Sequence, residues 1–227
     1  MPSPAPPRSP LDPVFAGHSQ IPFAFSEQFL HSEQFPYGMR LEGVMRRIWH
    51  RPSVLGPLFW FLGKLGILVP NDAVDIPTTL VVRAGQNSAD GNYHVWDRTF
   101  AFAKFIRFRT TIIYDSELGK VVDLVGPRNL LYMVWDARFH PPDRFTLDTN
   151  SCALRIGAKR FWMPRWLWKL LLGTVTFSQV ADSAEGDSVH VDLLIRHPVF
   201  GPIFGYDGRF RIVRTEKSVE AISQDVS

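Results

Sequence analysis

A mainly β domain, α+β in class, with about ten antiparallel strands in a strongly curved sheet or barrel and two short apolar helices, is the fold that this sequence predicts. Three observations predict it. From Thr79 to Thr149 the chain is a run of strand-like segments whose separators, GQNSADGN, DSELG, GPRN and HPPD, are turn formers. No helical segment lies between those strands, which favours an antiparallel meander over a parallel α/β sheet. Hydrophobic residues make up 45% and aromatic residues 13% of the 227 positions, enough to fill one core without disulfides or metals.

The elements follow in chain order. Residues 1–36 are expected to be a disordered proline-rich arm and lead-in, without the apolar core of a leader peptide. A single β-rich domain is expected over 37–214 and a flexible tail over 215–227. GMRLEGVMRRIW alternates as a first strand ending near Trp49. Ser53 and Pro57 then open a helix through Leu58, Phe59, Phe61, Leu62 and Leu65, which has little polar face and so must be covered. The apolar stretch from Val54 to Val69 falls short of the roughly 20 residues of a membrane span and is broken by Pro57 and Lys64. Strands follow at 79–84, 93–102, 105–114, 120–125, 130–139 and 145–149. Pro164 and Gly173 bracket a second helix, PRWLWKLLLG, after which strands resume at 174–180, 188–196 and 206–213.

Charge and composition narrow the function classes. The net charge is +3, and the basic pairs Arg46–Arg47, Arg107/Arg109 and Arg209/Arg211 are interleaved with acids, so no nucleic-acid partner is expected. Cys152 is the single cysteine and cannot close an intramolecular disulfide, which makes the cytoplasm the simplest location. The GxSxG, GxGxxG, GxxxxGK and HExxH patterns are absent, and the seven histidines never share a nearby face. No cofactor and no metal are therefore expected.

The most informative string is HVWDRTFAF, His94 to Phe102. Strand alternation places His94, Trp96, Arg98, Phe100 and Phe102 on one face, setting a cation inside an aromatic row. A guanidinium buried among rings requires an acid, carbonyls or a ligand anion. One reading makes Arg98 the anchor for an anionic or polar group on an apolar ligand. The other makes it a structural ion pair with Glu42, Asp123 or Asp136. The expected ligand-binding set is Trp96, Arg98, Phe100, Phe102, Trp135 and Tyr206. The candidates for proton transfer are His94, Asp97, His197 and Tyr206. Of these, His197, Tyr206 and Asp207 lie in HPVFGPIFGYDGRF, a shaped turn feeding the last strand. Trp162, Trp166 and Trp168 beside Arg160, Arg165 and Lys169 offer a peripheral membrane contact, although core packing explains the same residues.

Four strings together, GVMRRIWHRPSVLGPLFWFLGKLG, HVWDRTFAF, LRIGAKRFWMPRWL and HPVFGPIFGYDGRF, resemble the domain of unknown function 4166 family from about Met39 to Val213. The W-x-R-x-F core at Trp96, Arg98 and Phe100 and the end at His197, Pro198, Gly201, Tyr206 and Gly208 carry the likeness. The resemblance implies a domain found alone or fused to Rossmann-like oxidoreductase or epimerase modules and to membrane proteins. It transfers no catalytic residues. It leaves room for a separate oxidoreductase partner.

The expected function is binding of an apolar, lipid- or isoprenoid-like molecule with one polar or anionic group inside a β-rich cavity. The alternatives are a cofactor-independent cyclase, isomerase or epimerase acting on such a molecule, and a partner-docking or membrane-surface module.

Overall fold

A computed structural model describes residues 9–30, 39–51, 56–87, 91–182 and 186–213. Ten strands form a closed antiparallel barrel: β1 (Met39–His50), β2 (Ala73–Asn87), β3 (Gly91–Phe100), β4 (Ile106–Asp115), β5 (Lys120–Val125), β6 (Leu131–His140), β7 (Arg144–Ile156), β9 (Thr174–Asp182), β10 (Ser188–His197) and β11 (Gly201–Val213). β6 pairs with β7 to close the ring. The short strand β8 (Lys159–Trp162) stands outside it. β7 gives its first half, Arg144 to Asp148, to β9 and its last residues, Ala153 to Ile156, to β8.

Alternation builds the wall. In β1, Met39, Leu41 and Met45 are buried while Arg40, Glu42 and Val44 face outward. A bulge between Met45 and Arg47 shifts the phase, so Arg46 and Arg47 are both exposed and Ile48 returns to the core. Gly43 sits where β1 meets β11 so closely that a Cβ would stand 2.0 Å from the Arg209 carbonyl oxygen. On β5 and β6 both faces are apolar, and Val122, Leu124, Tyr132 and Val134 form a second cluster with Ile113 and Ala153. No helix among the described residues is long and apolar enough to cross a membrane.

The two expected helices form as α3 (Gly56–Lys64) and α4 (Arg165–Leu172), the latter with Pro164 before it and Gly173, at φ 74°, after it. Both belong to the end of the barrel that also carries the β3–β4, β5–β6 and β10–β11 connections, hereafter the helix end. The opposite, plug end carries a correction to the expected disordered arm. Residues 9–30 are ordered and contain α1 (Asp12–Phe15) and α2 (Phe23–Phe29). Proline content suggested disorder, but Leu11, Phe15, Phe25 and Phe29 are almost wholly withdrawn from water. Phe15 stacks 5.8 Å from Phe145 on β7, and Phe29 stacks 5.8 Å from Trp96 on β3. Deep below them Gln179 Nε2 donates to Gln28 Oε1 at 2.6 Å. The expected helix cap Ser53 and the tail 215–227 lie outside the described residues.

Strand limits also shift. β2 starts at Ala73 and β11 at Gly201, so Pro77 and Pro202 lie inside strands that the prolines seemed to delay.

Candidate functional site

Behind the plug, on the helix-end side, the barrel encloses a cavity of about 110 Å³. Leu62, Ile67 and Val69 from α3 and the loop after it, with Leu172 at the end of α4, form its roof. A second void of about 20 Å³, room for one water, lies towards the plug beside Gln28 and Gln179. Trp96, Arg98, Phe177 and Tyr206 line both and form the partition between them.

Register brings the polar groups together. Arg98 pairs across β3–β4 with Phe108, Ile112 pairs across β4–β5 with Asp123, and Tyr206 on β11 reaches in from another part of the wall. The Arg98 guanidinium lies 5.2 Å from the Trp96 ring and 5.3 Å from the Phe108 ring. Its hydrogen bond is a long one, 3.5 Å from Nη1 to Thr110 Oγ1. A guanidinium carries five N–H donors. Arg98 is only 9% exposed, and among the described residues no carboxylate comes close enough to ion-pair with it. The three acids considered from sequence divide accordingly. Glu42 pairs with Arg40 at 2.6 Å and Asp136 with Lys120 at 2.6 Å, both on the outer wall, whereas Asp123 shares the interior with Arg98.

Asp123 is the residue that sequence reading underrated. Its carboxyl lies deep in the barrel, and desolvation pushes its pKa from 3.8 up to about 7 despite the opposing pull of Arg98 and the Thr110 hydrogen bond. Its Oδ1 has no hydrogen-bond partner, and neither do the indole N–H groups of Trp96 and Trp135. One acceptor and two donors therefore stand unpartnered around an otherwise apolar lumen. Burial also raises the Tyr206 phenol, with Arg98 pulling it down and Asp123 and Asp192 pushing it up, so it stays protonated and able to donate. Asp115 makes the contrast. Burial works against its ionised form too, but Tyr132, the Leu118 N–H and Arg160 hold its pKa below the usual range.

The structure gathers Trp96, Arg98, Trp135 and Tyr206 at the cavity and disperses the other expected site residues. Phe100 is fully buried in the core and Phe102 packs against it at 6.2 Å, but neither lines the cavity. His94 belongs to the plug, its Nε2 3.4 Å from Ser9 Oγ. Asp97 faces outward and binds the Arg107 guanidinium, Nε to Oδ1 at 2.7 Å. His197 is structural: its Nε2–H donates to the Leu170 carbonyl at 2.9 Å, and its Nδ1 accepts from the Val199 and Phe200 N–H groups at 3.1 and 3.3 Å. Both ring nitrogens are thus committed to tying α4 to the β10–β11 turn. Of the three tryptophans considered for membrane contact, Trp168 is buried at 1% exposure while Trp162 and Trp166 are exposed. A signal for Asp123 did exist: in KVVDLV, β5, it is the one polar residue on either face between Val121 and Val125.

Residues 24–210 match the sequence pattern of a family described as a domain of unknown function, DUF4166. The chain is also 26% identical over 138 residues to the uncharacterized protein YndH of Bacillus subtilis (strain 168), an alignment covering 60% of this chain and 65% of that protein. The family match spans most of the barrel and the second plug helix, and with it the chain belongs to the DUF4166 family of domains of unknown function.

Proposed function

We propose that the barrel binds a small apolar molecule, lipid- or isoprenoid-like in character, through one anionic or polar group set against Arg98. The observation that carries this reading is the guanidinium itself: buried, stacked between two rings and supplied with a single long hydrogen bond. Such a cation is costly unless an acceptor completes it. The Trp96 and Trp135 N–H groups add donors around the same space. An apolar cavity of roughly 150 Å³ is known to take benzene. The cavity here, of about 110 Å³, is smaller and holds a few methylenes beside Arg98. A longer chain would run out past Leu62 and Leu172 to the helix end.

Titration with a medium-chain fatty acid, its alcohol and its alkane, followed by tryptophan fluorescence, tests this. The carboxylate should bind best, and Arg98→Met should weaken it roughly ten- to hundredfold, as expected for a hydrogen-bonded charge. Equal binding of acid and alkane by the native protein refutes the anchor.

A second reading rests on Asp123. A carboxyl titrating near neutrality beside a protonated phenol in an apolar cavity suits general acid–base chemistry, such as a cofactor-independent isomerisation or cyclisation. Any small molecule that copurifies from the native host, incubated with the protein in deuterated water, should gain mass with native protein and not with Asp123→Asn. Equal labelling by both excludes it.

A further inference from the structure

The two ends of the barrel differ in surface as well as interior. Trp60 is 64% exposed, Phe105 74%, Trp166 68% and Val199 70%, and all four belong to the helix end. Phe61 on α3 and Leu170 on α4 join them. Isolated exposed apolar residues need no explanation, but a concentration at one pole of a barrel does. Basic side chains accompany them on the helices and connections of that pole: Lys64, Lys104, Arg128, Arg165 and Lys169. Among the described connecting residues there, Asp72 is the lone acid, and His50 holds it through its backbone N–H at 2.7 Å. The plug end is opposite in both respects. Its described connections and helices carry Asp12, Glu27, Glu117, Asp143 and Asp187 with no lysine or arginine, and its exposed large apolar residues are Phe23 and Leu118.

From this polarity we infer that the helix end docks on an anionic lipid bilayer, with α3 and α4 seated at the headgroup level. Aromatic and aliphatic side chains enter the interface while the surrounding cations meet anionic headgroups. On α4, Trp166 and Leu170, four apart, point outward as Trp168 packs into the protein. The inference rests on the binding reading above and extends it. The helices that present Trp60 and Trp166 outward also roof the cavity with Leu62 and Leu172, so docking sets the ligand's exit route against the lipid.

Flotation with vesicles tests the docking independently of the cavity. The full chain should float with phosphatidylcholine vesicles containing about one quarter phosphatidylserine, and far less with pure phosphatidylcholine, with binding weakened by salt. A Trp60→Ser/Trp166→Ser double variant and a Lys64→Glu/Arg165→Glu double variant should each lose roughly tenfold or more in partitioning. Phe23→Ser, at the plug end, should lose nothing. The four helix-end side chains are exposed, so thermal melts of both double variants should stay at the native midpoint and exclude misfolding. Absence of flotation at low salt, or flotation unchanged in both helix-end variants, overturns the proposal. Fatty-acid titration of the tryptophan double variant separates the two readings: intact titration with lost flotation isolates docking, and flotation without titration refutes the cavity ligand alone.

Discussion

The plug end and the helix end of this barrel are made from the same strands, yet one is nearly filled and the other hollow. At the plug end, rings from α1 and α2 fill the space between Phe139, Phe145 and Trp96, and the amides of Gln28 and Gln179 meet. At the helix end, Arg98, Asp123 and two indole N–H groups surround an apolar void. Close packing and satisfied polar groups are what stability selects. The plug half departs from this by a void of about 20 Å³ and the unpartnered Gln179 Oε1. The hollow half joins a cavity of about 110 Å³ to a buried guanidinium, a carboxyl and two indole N–H groups, and that concentration marks it as shaped for something other than stability.

The largest expected effect tests the nearly filled half. Phe29→Ala removes a fully buried ring stacked on Trp96 and should cost about 3–5 kcal/mol in denaturant unfolding. A loss under about 1 kcal/mol would mean that the plug is dispensable and the contrast between the ends false.

Next comes the hollow half. The Asp123 pKa lies above the ordinary aspartate value, so between pH 3.8 and about 7 the folded state binds the proton that the unfolded state releases. Asp123 therefore subtracts stability as pH rises through that window, and the loss is complete above it. Asp123→Asn should be more stable than the native protein at pH 8, by an amount on the order of a few kcal/mol, and the gain should vanish below about pH 4. A pH-independent difference between the two melting curves would show that the carboxyl is already satisfied.

The smallest effect sharpens the boundary of the site. His197→Ala frees the Leu170 carbonyl and two N–H groups at the α4 anchor, a loss of about 1–3 kcal/mol. Fatty-acid affinity should hold within about twofold, since the His197 side chain does not itself line the cavity. A large loss of affinity with unchanged stability would return the histidine to the site.

The barrel was legible because strand alternation and turn chemistry are local: Met39–Met45 in β1 or Thr174–Asp182 in β9 declare their two faces within a few residues. Arg98 was legible for the same reason, as a charge on an aromatic face. Asp123 read as nothing more than an available partner, because its distance from Arg98 depends on the stagger of β3, β4 and β5. His197 and Asp97 looked chemically able, and only their neighbours show them occupied by Leu170 and Arg107.

The sequence by itself determined the ten barrel strands, though not β8 or the second half of β7, along with helices α3 and α4 and an arginine facing inward, since each follows from residue order over a few positions. Tertiary structure alone decided that residues 9–30 stop one end, that the other stays hollow, and that Asp123, rather than Glu42 or Asp136, shares the lumen with Arg98. Closure of the barrel brings residues more than a hundred positions apart onto one lumen, and no local periodicity encodes which of them meet.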